Sequence, residues 1–93
     1  QEDAAKFYTP LQEWLREYTE SPREFTEFVF RLEYLNSASI KKILKMLILL
    51  EGIDNQKYEV KIRWQYEKND EIMRERGEEI KSVVKLPFEL EAI

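Results

Sequence analysis

The fold is decided at residues 34–42, which read Tyr34-Leu35-Asn36-Ser37-Ala38-Ser39-Ile40-Lys41-Lys42. Upstream of this stretch, apolar residues alternate along the chain, which predicts a strand over residues 25–35. Downstream, apolar residues recur with helical spacing, which predicts a helix over residues 40–51 that stops at Gly52. Ser39 directly precedes this repeat, so we expect its hydroxyl to cap the helix.

Helices and strands alternate on both sides of this junction. A first helix is expected over residues 3–19, capped by Asp3, and a third from Asn69 or Asp70 to about Ser82. Alternating apolar residues predict further strands over residues 58–66 and 88–92. The side chains expected to face the core include Trp64, the tyrosines, and the helix residues Ala4, Phe7, Leu11, Trp14, Leu15, Ile72 and Ile80.

The order helix, strand, helix, strand, helix, strand predicts an α/β fold with a mostly parallel sheet. The strands are amphipathic, whereas parallel strands that are covered on both faces are apolar throughout. We therefore expect two layers, with the helices mainly on one face of the sheet. The other face should be solvated and held by cross-strand ion pairs, or covered by segments outside this sequence. Its charged residues would be Arg31, Glu33, Lys61, Arg63, Glu89 and Glu91.

The composition excludes several classes of protein. The chain has 93 residues, enough for a single domain, and it has no cysteine and no histidine. Thiol nucleophiles, zinc–thiolate sites and the commonest general base are therefore absent, and no cofactor is expected. A net charge of −4 argues against nucleic-acid and anionic-membrane partners. The longest apolar run, residues 46–50, is too short to span a bilayer, and the composition is compatible with a cytoplasmic protein.

The two serines of the junction allow more than one interpretation. Ser37 and Ser39 are typical helix-capping residues, and capping alone would explain them. They also stand beyond the carboxyl end of a strand, where parallel sheets place their sites. Lys41 and Lys42 lie at the positive end of the helix dipole, so a phosphoryl group on either serine would relieve an unfavourable arrangement. A small enzyme or anion-binding protein using residues 37–42, and a structural module that dimerises through the open sheet face, remain alternatives.

The second helix carries a further candidate surface. Met46 and Leu49 adjoin its lysines, and apolar residues flanked by charge can form an adaptable docking strip. Scattered exposed apolar residues are also common on surfaces that bind nothing.

Three segments resemble a known protein family. Residues 34–41 contain a Tyr-x-Asn-[Thr/Ser]-x-Ser-x-Lys pattern at the junction of a strand and a helix. Residues 4–18 contain Phe7-Tyr8, Pro10 and Trp14-Leu15, and residues 63–79 combine a Trp-x-Tyr strand with an acidic helix. In this order the segments resemble the SiaC family of bacterial regulatory phosphoproteins, in which the first pattern carries the regulatory phosphosite.

The resemblance implies a fold similar to anti-sigma-factor antagonist (STAS) domains and a switch that is not itself an enzyme. A partner Ser/Thr kinase would phosphorylate Ser37, and a PP2C-type phosphatase would remove the phosphate. The unphosphorylated form would bind and activate an effector such as a diguanylate cyclase. The family begins with two further strands, so we expect residues 1–93 to be one regulatory domain that lacks them. The surface read by the partners would comprise Asn36, Ser39, Lys41, Lys42, Met46 and Leu49.

Overall fold

A computed structural model describes residues 4–54 and 57–93, in which helices and strands alternate. The elements are α1 (Ala4–Tyr18), β1 (Phe25–Arg31), α2 (Ser37–Glu51), β2 (Glu59–Tyr66), α3 (Glu71–Val83) and β3 (Phe88–Ala92). The described strands form a sheet in the order β1-β2-β3, and both neighbouring pairs are parallel, which confirms the α/β prediction. The cap expected at Asp3 and the side chain of Ala4 lie outside the described residues.

The core lies between the three helices and one face of the sheet. Val60, Ile62 and Trp64 are almost fully buried, because β2 is the central strand and its even-numbered side chains all point to the same face. Helix residues of the same core cluster, such as Leu15 and Ile43, are also fully buried. The strand register arranges the sheet side of the core in two cross-strand layers, Phe28, Ile62 and Phe88 in one and Phe30, Trp64 and Leu90 in the other.

The opposite face of the sheet carries the expected cross-strand ion pairs. The Arg63 guanidinium lies 2.9 Å from a carboxylate oxygen of Glu91 and 3.4 Å from one of Glu27, so it bridges all three strands. Lys61 pairs with Glu89 across β2 and β3 at 3.1 Å. The hydrogen bond from Arg63 is the main cause that lowers the pKa of Glu91 from its ordinary 4.5 to about 2. These pairs replace the second apolar layer of a sheet covered on both sides.

The ion pair of Glu91 should make stability depend on pH in the acidic range. Because the pKa of Glu91 is lower in the folded chain than in the unfolded chain, its stabilising effect is complete above about pH 4.5 and disappears as the pH falls toward about 2. We expect Glu91→Gln to unfold at a lower urea concentration than the parent at neutral pH, with a difference that shrinks over this interval. Glu75→Gln, which changes an exposed glutamate outside the described ion pairs, is the matched control. A difference for Glu91→Gln that stays constant down to pH 2 would contradict this origin.

The first strand is shorter than predicted. β1 ends at Arg31, which pairs with Gln65, and the loop to α2 follows. Glu33 therefore does not join the charged face of the sheet, and Tyr34 is exposed instead of buried. The apolar alternation that predicted a strand to residue 35 continues past the last ladder pair, so alternation alone could not mark the end of pairing.

The predicted buried face of α1 was wrong in part. Phe7 and Trp14 are each 57% exposed and Leu11 is also exposed, whereas Tyr8 and Leu15 are buried. Apolar side chains cover an arc of this helix that is wider than its contact with α2 and β1. The centre of the contact lies along positions 8 and 15, two turns apart, and the other apolar residues lie on its flank.

The packing of α3 against the sheet depends on a glycine, which the prediction from apolar residues left out. Met73, Gly77 and Ile80 face the sheet at helical spacing, and the expected core residue Ile72 is 66% exposed. A Cβ atom on Gly77 would lie 2.5 Å from Cδ1 of Trp64, so only glycine lets α3 approach the indole this closely. The indole nitrogen of Trp64 donates a hydrogen bond to the backbone carbonyl of Met73 at 3.0 Å.

Candidate functional site

The start of α2 is held by an asparagine rather than by the predicted serine. Asn36 is the N-cap: its Oδ1 accepts a hydrogen bond from the backbone N–H of Ser39 at 2.8 Å, and its carbonyl accepts one from Ile40 at 2.9 Å. The helix therefore begins at Ser37 and not at Ile40. The expectation that Ser39 is the cap was wrong, because a capping side chain bonds the N–H three residues ahead and Asn36 already occupies that position.

Ser39 instead joins α1 to α2. Ser39 is only 8% exposed, and its hydroxyl forms a hydrogen bond with the Tyr8 side chain. Burial raises the pKa of the Tyr8 hydroxyl, and the bond from Ser39 partly offsets this effect. Ser39 is thus a buried packing residue beneath the helix start.

Ser37 has the opposite environment. It is the first residue of α2 and is exposed, as is the neighbouring Ala38. Lys41 follows it by one helical turn and is also exposed, while Lys42 is half-buried. Of the two junction serines, Ser37 alone presents its hydroxyl to solvent, at the end of the helix where backbone N–H groups and the dipole favour an anion.

The docking strip expected on α2 is composed differently from the prediction. Met46 is 2% exposed, so the prediction that it lies on the surface was wrong. Leu49 is half-buried against the core. Ile48 is 64% exposed and was missed. Its position relative to Lys41 and Lys45 is the signal that could have identified it, because residues seven and three positions apart lie on one helix face.

A cleft lies at the carboxyl edge of the sheet. Asp70, predicted as one of two candidate caps, is the N-cap of α3 and accepts a hydrogen bond from the backbone N–H of Met73 at 3.1 Å. Ser37 does not line this cleft. Among the described residues, no group of acidic side chains is arranged to hold a metal ion, and no helix is long and apolar enough to cross a membrane. The cleft has a volume of about 430 Å³ and is lined by Arg31, Leu32, Glu33, Gln65, Tyr66, Glu67, Asp70 and Ile93.

The assignment of the cap can be tested by mutation. Asn36→Ala should lower the free energy of unfolding by about 0.5–2 kcal/mol, because the Ser39 N–H loses its partner. Asn69→Ala is the matched control, since Asn69 is exposed and directly precedes the true cap of α3, so its loss should be within about 0.5 kcal/mol. Urea denaturation followed by circular dichroism measures both. Equal losses from the two variants would refute the capping role of Asn36.

The whole chain matches a family profile described as SiaC family regulatory phosphoprotein, over residues 1–93. The chain belongs to the SiaC family. A curated relative, an uncharacterised protein of Pseudomonas aeruginosa (strain UCBPP-PA14), is 29% identical over 91 residues, which are 98% of this chain and 72% of the relative.

Two solved SiaC structures from Pseudomonas aeruginosa share the fold. Apo-SiaC is 27% identical with a TM-score of 0.82, and the alignment covers 99% of this chain and 74% of that one. SiaC in complex with the diguanylate cyclase SiaD, of which it is described as the activator, is 28% identical with a TM-score of 0.86, covering 100% of this chain and 76% of that one. The resemblance seen in the sequence is thereby confirmed for the family and for the fold.

Proposed function

We propose that this SiaC family member is a non-enzymatic switch that binds and activates a diguanylate cyclase when Ser37 is unphosphorylated. A Ser/Thr kinase and a PP2C-type phosphatase would set the state of Ser37, and the switch would act in the cytoplasm. The observation that carries the proposal is the contrast between the two serines. Ser37 is exposed at the first position of α2, whereas Ser39 is buried and bonded to Tyr8.

The start of α2 suits a phosphate group physically. A phosphoserine at position 37 would bring a charge of about −1.5 to −2 to the positive end of the helix dipole. Lys41, one turn further on, is close enough along the helix to attract it. Asn36 keeps its own oxygen engaged with the backbone, so the cap and the phosphate would not compete for the Ser39 N–H.

The same charge would oppose docking of an effector on this surface. A partner that covers Ser37 must remove water from it, which costs little for a hydroxyl and much for a dianion. In the proposed surface, Asn36 and Ser39 hold the shape of the helix start from inside, and Lys41, Lys42 and the half-buried Leu49 face the partner.

Candidate effectors for the test are SiaD of Pseudomonas aeruginosa and any diguanylate cyclase whose gene lies beside that of this chain. We expect the unphosphorylated chain to bind a cyclase and raise its rate of cyclic dinucleotide formation. Stoichiometric phosphorylation at Ser37 should abolish both effects, and phosphatase treatment should restore them. Equal activation by the phosphorylated and unphosphorylated chains, or no binding to either cyclase, would refute the switch.

A further inference from the structure

Positive charge is concentrated on α2, although the chain as a whole is acidic. Lys41, Lys42 and Lys45 lie on α2, which has no acidic residue before Glu51, although the chain has a net charge of −4. Among the described residues these three lysines form no ion pair, and neither does Arg16 on α1. By contrast, Lys61 and Arg63 on the sheet face and Arg74 and Arg76 on α3 are paired with carboxylates of this chain.

A groove runs beside these cations, between α1 and α2. The contacts of Tyr8 with Ser39 and of Gln12 with the carbonyl of Lys42, at 3.4 Å, show that the two helices run side by side in the same direction. The groove has a volume of about 290 Å³, and no carboxylate of the described residues lines it. It combines two cations with apolar surface, its lining residues being Gln12, Arg16, Lys45, Ile48 and Leu49.

We infer that this basic groove, lined by the five residues just named, is the docking site for an acidic amphipathic helix of the effector. The inference rests on the proposed switch and specifies which surface holds the partner and what chemistry it recognises. Ile48, 64% exposed, offers apolar area that a partner helix would bury. Arg16 and Lys45 on the two walls complement carboxylates on the flanks of that helix.

The groove also connects the partner to the phosphosite. Ser37, Lys41 and Lys45 follow one another at intervals of one turn along α2, so they form a single row that ends beside Ile48. A phosphate on Ser37 places negative charge at the head of this row and attracts Lys41. Phosphorylation therefore weakens the electrostatic attraction for an acidic helix even where the phosphate itself is not covered.

A designed peptide probes the groove without requiring the natural partner. The probe is a synthetic helix of about five turns with leucines on one face and glutamates on both flanks. The control peptide carries lysine at every glutamate position. We expect the acidic peptide to perturb the backbone amide resonances of residues that line the groove, with an affinity that falls as salt is added, and the lysine peptide not to bind.

Matched variants separate the groove from the rest of the surface. Ile48→Ala should weaken peptide binding by about tenfold, whereas Ile72→Ala, an equally exposed isoleucine on α3, should leave it unchanged. Arg16→Glu combined with Lys45→Glu should weaken binding by about tenfold or more, and Lys81→Glu on α3 should not. Unchanged melting temperatures for the two isoleucine variants would show that binding and folding are separated.

Several results would overturn the inference. The inference is wrong if the chain binds both peptides equally or binds neither. It is also wrong if the perturbed resonances are centred outside the groove, or if Ile48→Ala and Ile72→Ala lower the affinity for the acidic peptide equally. Self-association of the free chain that Ile48→Ala abolishes would assign the groove to a second copy and would also overturn it. If phosphorylation at Ser37 abolishes cyclase activation, but binding of the cyclase to the unphosphorylated chain leaves the resonances of the groove unperturbed, the groove is refuted while the switch stands.

Discussion

Trp64→Ala is expected to lower the free energy of unfolding by about 3–5 kcal/mol. The indole is 1% exposed and lies between two aromatic rings of the neighbouring strands, with centroids 5.6 Å away for Phe30 and 6.1 Å for Phe88. Truncation would leave a cavity against the central strand and remove the hydrogen bond from the indole to the carbonyl of Met73. Domains of this kind are stable by roughly 5–15 kcal/mol, so the loss is a large share of the total and the urea midpoint should fall by about 1 M or more relative to the parent.

The exposed tryptophan provides the control for this prediction. Trp14 is 57% exposed and stacks on Tyr18 at 5.4 Å, so Trp14→Ala should cost less than about 1.5 kcal/mol. Gly77→Ala disturbs the same contact from the side of α3, because the added methyl group must displace the indole. It should lower the free energy of unfolding by about 1–3 kcal/mol. Similar losses from Trp64→Ala and Trp14→Ala would contradict the central role of Trp64.

Ser37→Ala is expected to abolish phosphorylation by the cognate kinase while the fold and effector binding are retained. Ser37 is exposed and is not the capping residue, so its hydroxyl has no structural role that alanine would remove. Ser39→Ala should have the reverse effect, because it removes the bond to Tyr8: stability falls by about 0.5–1.5 kcal/mol, and Ser37 is still labelled. Mass-spectrometric mapping after incubation with the kinase, together with urea denaturation, measures both outcomes.

Two other hydroxyls test this assignment. Ser39 is buried, and the Thr26 hydroxyl lies 2.7 Å from that of Tyr18 in a hydrogen bond between β1 and α1. Phosphate on either residue, with Ser37 unmodified, would contradict the assignment of the phosphosite. Ser37→Glu should weaken effector binding, although a single carboxylate carries less charge than the phosphate it imitates.

The sheet could be predicted from the sequence because its signal is local. Along β2 the alternation of Val60, Ile62 and Trp64 with Lys61 and Arg63 states directly which face is buried, and the structure agrees. The charged open face followed from the same alternation. The end of β1 was not predictable in this way, because it depends on where a neighbouring strand stops pairing.

The buried faces of the helices were harder to predict, because apolar residues occur on more than one face of a helix and only some of them meet a neighbouring element. In α3 the face that meets the sheet contains Gly77, which adds nothing to an apolar pattern, so Ile72 was placed inside although it is exposed. In α2, the true cap at Asn36 moved the helix start to Ser37, and Met46 belongs to the core. The phosphosite position followed from the family motif and stays a prediction, as do the partner roles of the exposed lysines.

The parallel register of the sheet has a consequence for the speed of folding. Every residue of β1 pairs with a residue of β2 that lies beyond the whole of α2, and every β2–β3 pair spans α3 in the same way. No strand pair can therefore form as a local hairpin, and each requires closure of a loop that contains a helix. Folding of this chain should be slower than that of a helical bundle of equal length, and the refolding rate should depend on how early α2 and α3 form.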